Sequence, residues 1–287
     1  MQVIEVDSGA RRLLTGALAM VPPRLDLVAI AIGQLGNPAL EPATVTTQLD
    51  ALGQRVRGWL AEVAAEGPPP GSTTPAFARA LAGVLGGEEG LGGRTEGYDE
   101  PSRSFIQDVL ATRVGLPIAL SVIYVEVARR AGIALYGIGF PGHFLCGADV
   151  GGEVVVLDPF HGGRVLGRPA LEALLARFSP GTQWSPGLLA PAPVPTIAVR
   201  MLTTLQHACE ARKQRERLLE TLTLLLAVMP DHPGELRARA ELLSELGASR
   251  AALADYRRCL EVAPEAEGRA ALAARVHALE GKLGASS

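Results

Sequence analysis

The sequence predicts an α+β fold, and three observations point to it. Up to about residue 100, apolar residues recur at three- and four-residue spacing, the period of helices that bury one face. Between about 101 and 180, one strongly apolar helix is followed by short runs rich in Val, Ile, Leu and Phe, bounded by Gly, Pro and Asp as strands are. From about 197 onward the helical period returns. Successive strands with no helix between them exclude a doubly wound parallel sheet. The chain therefore divides into a helical part of the core domain (1–100), a core of helix plus antiparallel strands (101–180), a Pro/Gly-rich linker (181–196) and a helical region (197–287).

Taken in order, "LDLVAIAIGQL" reads as a short buried helix. In "EPATVTTQLDALGQRVRGWLAEVAAE", Leu49, Leu52, Val56, Trp59, Leu60 and Val63 make one stripe, and Pro42 suits a first helical turn. "GPPPGSTTP" breaks the chain, and the short helix "AFARALAGVL" runs into the loop "GGEEGLGGRTEGYDE". "SFIQ" is a capping-box pattern in which Ser104 and Gln107 start a helix through Arg113. A further helix begins at Pro117 and ends at Gly132; Glu126, Arg129 and Arg130 form its polar wedge, and the rest is buried. "ALYGIGF", "HFLCGA" and "EVVVLDPF" are the strands. In the last region Pro230 and Pro264 lie 34 residues apart, each where a helix stops, which is the period of a tetratricopeptide repeat. Ala240, Ala252 and Tyr256 fill its small, small and aromatic positions, and Cys259 stands where alanine is preferred. An earlier copy is degenerate, with Gln206 and Leu218 at the small positions. An ordinary helical hairpin is the alternative.

Composition narrows the function classes. A net charge of −3 gives nothing to recruit nucleic acid or an anionic membrane. Three cysteines without a CxxC pair suggest reduced thiols in a cytoplasmic protein. "MQVIEVDSGARR" lacks the layout of a signal peptide, and no apolar run approaches the roughly 20 residues that span a bilayer.

The chemistry gathers in "GIGFPGHFLCG" and "LDPFHGG". A hairpin closed by four residues, Asp149–Gly152, sets His143 opposite Asp158; one closed by two Gly sets Asp158 opposite Leu145. Either register leaves His143 and Asp158 on one face, within reach of a carboxylate–imidazole bond that would fix the tautomer for acid–base work. The same pair can serve as a buried polar network that fixes strand register. Cys146 is an odd offset from His143 and points away. That turns it out of a metal set with His143, Asp158 and His161, so no metal or other cofactor is expected.

"YDEPSRSFIQDVLATRVGLPIALSVIYVEVARRAGIALYGIGFPGHFLCG" with "VVVLDPFHGG" resembles the bacterial SirB family of transglutaminase-like proteins, in the papain-like superfamily, over residues 98–163. The resemblance implies a Cys-His-Asp triad whose cysteine begins a buried helix, with His143 and Asp158 as second and third members. The cysteine's position is Pro117. Ser121, one turn later, is the candidate replacement nucleophile; alternatively it bonds back to the Pro117 carbonyl. Tyr98, Arg103, Arg113, Phe160 and His161 are candidate groove-lining residues. Two functions follow. One is a non-catalytic protein that binds peptide or protein partners through its groove and repeats, in an accessory or regulatory role. The other is a hydrolase or acyltransferase using Ser121 or an unrecognised nucleophile with His143 as base.

Overall fold

The computed structural model describes all residues except 1–8, 68, 70–72, 264–267 and 285–287. The "MQVIEVDS" leader, part of the Pro-rich break and Pro264 lie outside the described residues. Helices α1 (Gly9–Ala19), α2 (Leu25–Gly33), α3 (Pro42–Glu66) and α4 (Ala76–Leu81) come first, and α4 runs directly into a π-helical stretch at Ala82–Glu88. This stretch takes up part of the predicted Gly-rich loop. The α3 stripe buries Val45, Leu49, Leu52, Gly53, Val56 and Val63, while Trp59 and Leu60 are only half-buried. Gly53 is required by packing, because a Cβ there would lie 2.5 Å from Arg130 Cβ.

Helix α5 (Ile106–Thr112) departs from expectation at its start. Pro101–Ser104 is a 3-10 turn, Phe105 is the N-cap, and the capping box does not form. Ser104 is buried with its hydroxyl unpartnered, and Gln107 Nε2 instead donates to the Gly33 carbonyl at 3.0 Å. Tertiary packing against α2 has overridden a local signal. Helix α6 (Pro117–Ala131) follows its sequence signals, with Pro117 at the start and Gly132 capping it in the left-handed region at φ 81°. Its polar wedge answers Asp26, a carboxylate of α2 with no solvent exposure. Arg24 and Arg130 reach Asp26 Oδ2 at 2.7 and 2.8 Å, and Arg129 and Arg130 also hold Glu126. A charge buried between helices is tolerable only when paired in this way.

Strands β1 (Tyr136–Ile138), β2 (Leu145–Val150), β3 (Glu153–Asp158) and β4 (Arg164–Leu166) form an antiparallel sheet in sequence order. The fourth strand is an addition to the three expected. Val150 pairs with Glu153, so the hairpin is the two-residue form, not the four-residue one. Gly151 and Gly152, at φ 59° and 88°, supply the two positive φ angles that a tight hairpin turn demands. Cys146 and Leu157 face the main core with α6, whereas Leu145 and Val156 pack on α7 (Arg168–Phe178) through Leu171 and Leu175. The outer edge of β1 is bridged by the linker, Ala192 N–H donating to the Gly137 carbonyl at 2.8 Å.

Helices α8 (Val194–Ala211), α9 (Arg215–Val228), α10 (Pro233–Glu245), α11 (Ser249–Val262) and α12 (Arg269–Gly284) stack in order. Ala240, Ala252 and Tyr256 are buried at the positions the repeat pattern assigns them. The core does not stop at the linker. Ile197, Met201, Leu205, Leu222 and Leu225 share one cluster with Leu14, Ile30 and Ile123, so α8 and α9 are built onto the domain. Arg217 adds to that junction, donating to the Leu35 carbonyl and lying over the Phe105 ring.

Candidate functional site

His143 is not on a strand as expected. It ends a turn in which its N–H donates to the Phe140 carbonyl at 3.0 Å, just ahead of β2. Gly142 is needed twice over: its φ is 69°, and a Cβ there would sit 2.2 Å from Phe178 Cβ. Asp158 closes β3, and the pair meets with His143 Nε2 at 3.0 Å from Asp158 Oδ1. Both are buried, at 6% and 2% exposure.

The carboxylate holds more than one imidazole. His161 Nδ1 lies 2.6 Å from Oδ2, and the Phe160 N–H donates to Oδ1 at 3.1 Å. Burial works to raise the Asp158 pKa, but the bonds and charges from His143 and His161 hold it below its usual value. An ionised Asp158 makes Nε2 the donor of His143 and leaves Nδ1 for any further chemistry. The turn carrying Phe160 and His161 is propped from below by the π-helical stretch, where a Cβ on Gly86 would lie 2.1 Å from the Gly162 carbonyl oxygen. Gly93 sits under the Phe160 ring and donates its N–H to the Phe160 carbonyl at 2.8 Å.

Aromatic rings surround the dyad. Phe178 stacks on His143, centroids 6.3 Å apart and 4° from parallel, and Phe160 meets it edge-on at 5.9 Å. Tyr98 continues the row, 6.3 Å from Phe160. Of the candidate lining residues, Tyr98, Phe160 and His161 are brought together beside the dyad. Arg103 and Arg113 are directed elsewhere. Arg103 Nη1 donates to the Arg94 carbonyl at 3.1 Å, and Arg113 pairs with Glu89 at 2.6 Å. Phe178 was missed; at the end of "LEALLARF" nothing in the spacing marks it, and only the fold carries α7 back to His143.

Among the described residues, no hydroxyl or thiol hydrogen-bonds to the imidazole. Pro117 is buried as the first residue of α6. The Ser121 hydroxyl donates to the Phe144 carbonyl at 3.3 Å, rather than facing His143 or bonding to Pro117. Cys146 Sγ contacts the Ser121 carbonyl at 3.6 Å, and burial pushes its pKa up to about 12. Such a thiol supplies no thiolate at neutral pH. Among the described residues, no group of three or more His, Cys, Asp or Glu is placed to hold a metal ion. The dyad can take and return a proton at His143, but any covalent step needs a group that these side chains do not offer.

A transglutaminase-like superfamily model matches residues 43–203, and a tetratricopeptide repeat model matches 205–277. The chain is 38% identical over 180 residues to a UPF0162 protein of Xylella fastidiosa strain Temecula1, covering 61% of this chain and 64% of that one. The chain thus spans slightly less than two thirds of that relative's length. A Vibrio cholerae UPF0162 protein is 30% identical over 194 residues, covering 67% of this chain and 72% of its own length. Mouse F-box only protein 21 is 30% identical over 154 residues, 50% of this chain and 24% of the mouse protein.

Proposed function

The chain belongs to the transglutaminase-like superfamily, with tetratricopeptide repeats behind the domain, and we propose that it serves as a non-catalytic, SirB-type member that binds peptide or protein partners in an accessory or regulatory role. One observation carries this reading: the helix start that should present a nucleophile presents the buried ring of Pro117, and the nearby hydroxyl and thiol are engaged with backbone carbonyls. Acyl transfer through an enzyme-bound intermediate requires a nucleophile within reach of its base. The repeats support the binding role, since stacked helical repeats present extended faces to partners. Between α10, α11 and α12 they hold a cleft of about 360 Å³ lined by Glu241, Ser244, Glu245, Tyr256 and Arg275. The three unpaired cysteines favour work in the cytoplasm. Among the described residues, no helix is long and apolar enough to cross a membrane.

The intact His143–Asp158 bond favours a second reading, a hydrolase or acyltransferase using Ser121 or an unrecognised nucleophile. The test treats the full chain and His143→Ala with fluorophosphonate and iodoacetamide probes, and pans the full chain against a displayed random-peptide library. The proposal expects no native labelling and saturable peptide binders. Labelling that disappears in His143→Ala overturns it in favour of the enzyme. A library without binders overturns the binding role.

A further inference from the structure

The surface over the dyad is aromatic and open. Tyr98 is 47% exposed and Phe178 is 42% exposed. Half-buried Phe160 and, beneath the surface, buried His143 link them through ring contacts. Scattered exposed apolar residues are ordinary, but contiguous ones mark interaction sites. The rest of the inference comes from the rim.

Four arginines border the row without a carboxylate partner among the described residues. The Arg177 guanidinium lies over the Phe178 ring, 4.9 Å from its centroid. Arg200 is close enough for its charge to act on the Tyr98 hydroxyl. Arg164 stands directly across from Asp158 in the β3–β4 pairing. Arg94 follows Gly93, which lies under the Phe160 ring. Elsewhere Arg24, Arg55, Arg130, Arg168, Arg212, Arg239 and Arg258 form ion pairs, while Arg57, Arg79 and Arg269 donate to backbone carbonyls. Nearby acids cancel the rim only in part: Asp99 and Glu100 share the one Arg212, at 2.8 and 2.6 Å, which leaves one negative charge over. That charge, Glu96 and the ionised Asp158 stand against these four cations and Arg103 of the same loop, so the rim stays net positive. On a chain whose net charge is −3, this is a local reversal of sign.

We propose that the Tyr98–Phe160–His143–Phe178 row, with Arg94, Arg164, Arg177 and Arg200 around it, is the docking surface for an acidic peptide segment carrying an aromatic or leucine anchor. The anchor covers the exposed rings, and its flanking carboxylates meet the arginine forks. A nucleic acid strand would also suit rings and arginines. The net negative charge of the chain disfavours so long a polyanion and leaves the peptide as the better match. The inference rests on the peptide-binding reading above, to which it adds the partner's chemistry and its seat.

The test is fluorescence anisotropy with the full chain and three labelled twelve-residue peptides: alternating glutamate and phenylalanine, its lysine counterpart, and glutamate with serine replacing phenylalanine. A single-stranded uridine oligomer is the fourth probe. The acidic aromatic peptide is expected to bind at least ten-fold tighter than the other three, and more weakly as salt rises. Arg177→Glu with Arg200→Glu is expected to weaken it at least ten-fold; both side chains are exposed, so the fold is retained, as circular dichroism checks. Phe178→Ala is expected to weaken it as well. Equal or tighter binding of the lysine peptide or the uridine oligomer overturns the proposal, as does affinity unchanged by the arginine reversal. If library-selected peptides bind but ignore that reversal, the seat proposed here is wrong while the binding role stands.

Discussion

Arg130→Met probes what holds α6, and with it the whole site. Arg130 is nearly buried and reaches Asp26 at 2.8 Å, Glu126 at 2.6 Å and Asp50 at 2.5 Å. Burial works to raise the pKa of Asp26, yet hydrogen bonds from Arg24 and Arg130 bring it from 3.8 down to about 2. That drop is equivalent to about 2.4 kcal/mol of stability at neutral pH. Methionine keeps the volume of the stem but removes the charge. Breaking a buried ion pair outright costs about 3–5 kcal/mol. Arg24 remains beside Asp26, and Arg129 beside Glu126, so the expected loss is about 3 kcal/mol. The folded-state pKa lies below the unfolded one, so the contribution of Asp26 is complete above about pH 4 and fades as pH falls through about 2. The difference between variant and wild type should therefore shrink in acid. Urea unfolding followed by far-ultraviolet circular dichroism at pH 7, 4 and 2.5 measures both effects. Adding Asp26→Asn to Arg130→Met should recover about 1 kcal/mol, because the most deeply buried of the carboxylates that Arg130 held is then uncharged. A loss below 1 kcal/mol at pH 7, or one indifferent to acid, refutes the reasoning.

Three further outcomes are expected. Asp158→Ala strands the buried His143 N–H and the Phe160 N–H, at a cost of about 2–3 kcal/mol in urea unfolding, whereas Asp158→Asn keeps an acceptor and costs less; equal stability of Asp158→Ala and wild type would mean the dyad is not formed. Gly86→Ala drives a methyl into the Gly162 carbonyl and should destabilise by about 2 kcal/mol while displacing His161 from Asp158, seen as shifted imidazole resonances; an unshifted spectrum counts against the π-helical prop. Cys146 and Cys209, pushed up by burial to about 12 and 11, should resist a colorimetric disulfide reagent in the native protein and react once urea unfolds it; fast native labelling of Cys146 contradicts the buried-thiol assignment.

The sequence by itself determined the α+β class, the burial and ends of α6, and the tight hairpin as one of two registers; it drew His143 to Asp158 by strand alternation, whereas His143 reaches the carboxylate from a turn. Each follows from a local rule: apolar period, Pro at a helix start, Gly at its end, or a Gly pair at a hairpin turn. Ser104 and Gln107 obeyed their local rule in sequence only, since packing of α5 on α2 gave Gln107 a partner in the Gly33 carbonyl. Tertiary structure alone decided that His161 shares Asp158 with His143, that Phe178 returns from α7 to stack on the imidazole, and that Arg113 turns to Glu89. It also fused α8 and α9 to the domain core, across a linker that composition had read as a boundary. The physical reason is common to all four. Contacts between residues far apart in the chain are set by which surfaces bury each other, and no periodicity in the chain records that choice.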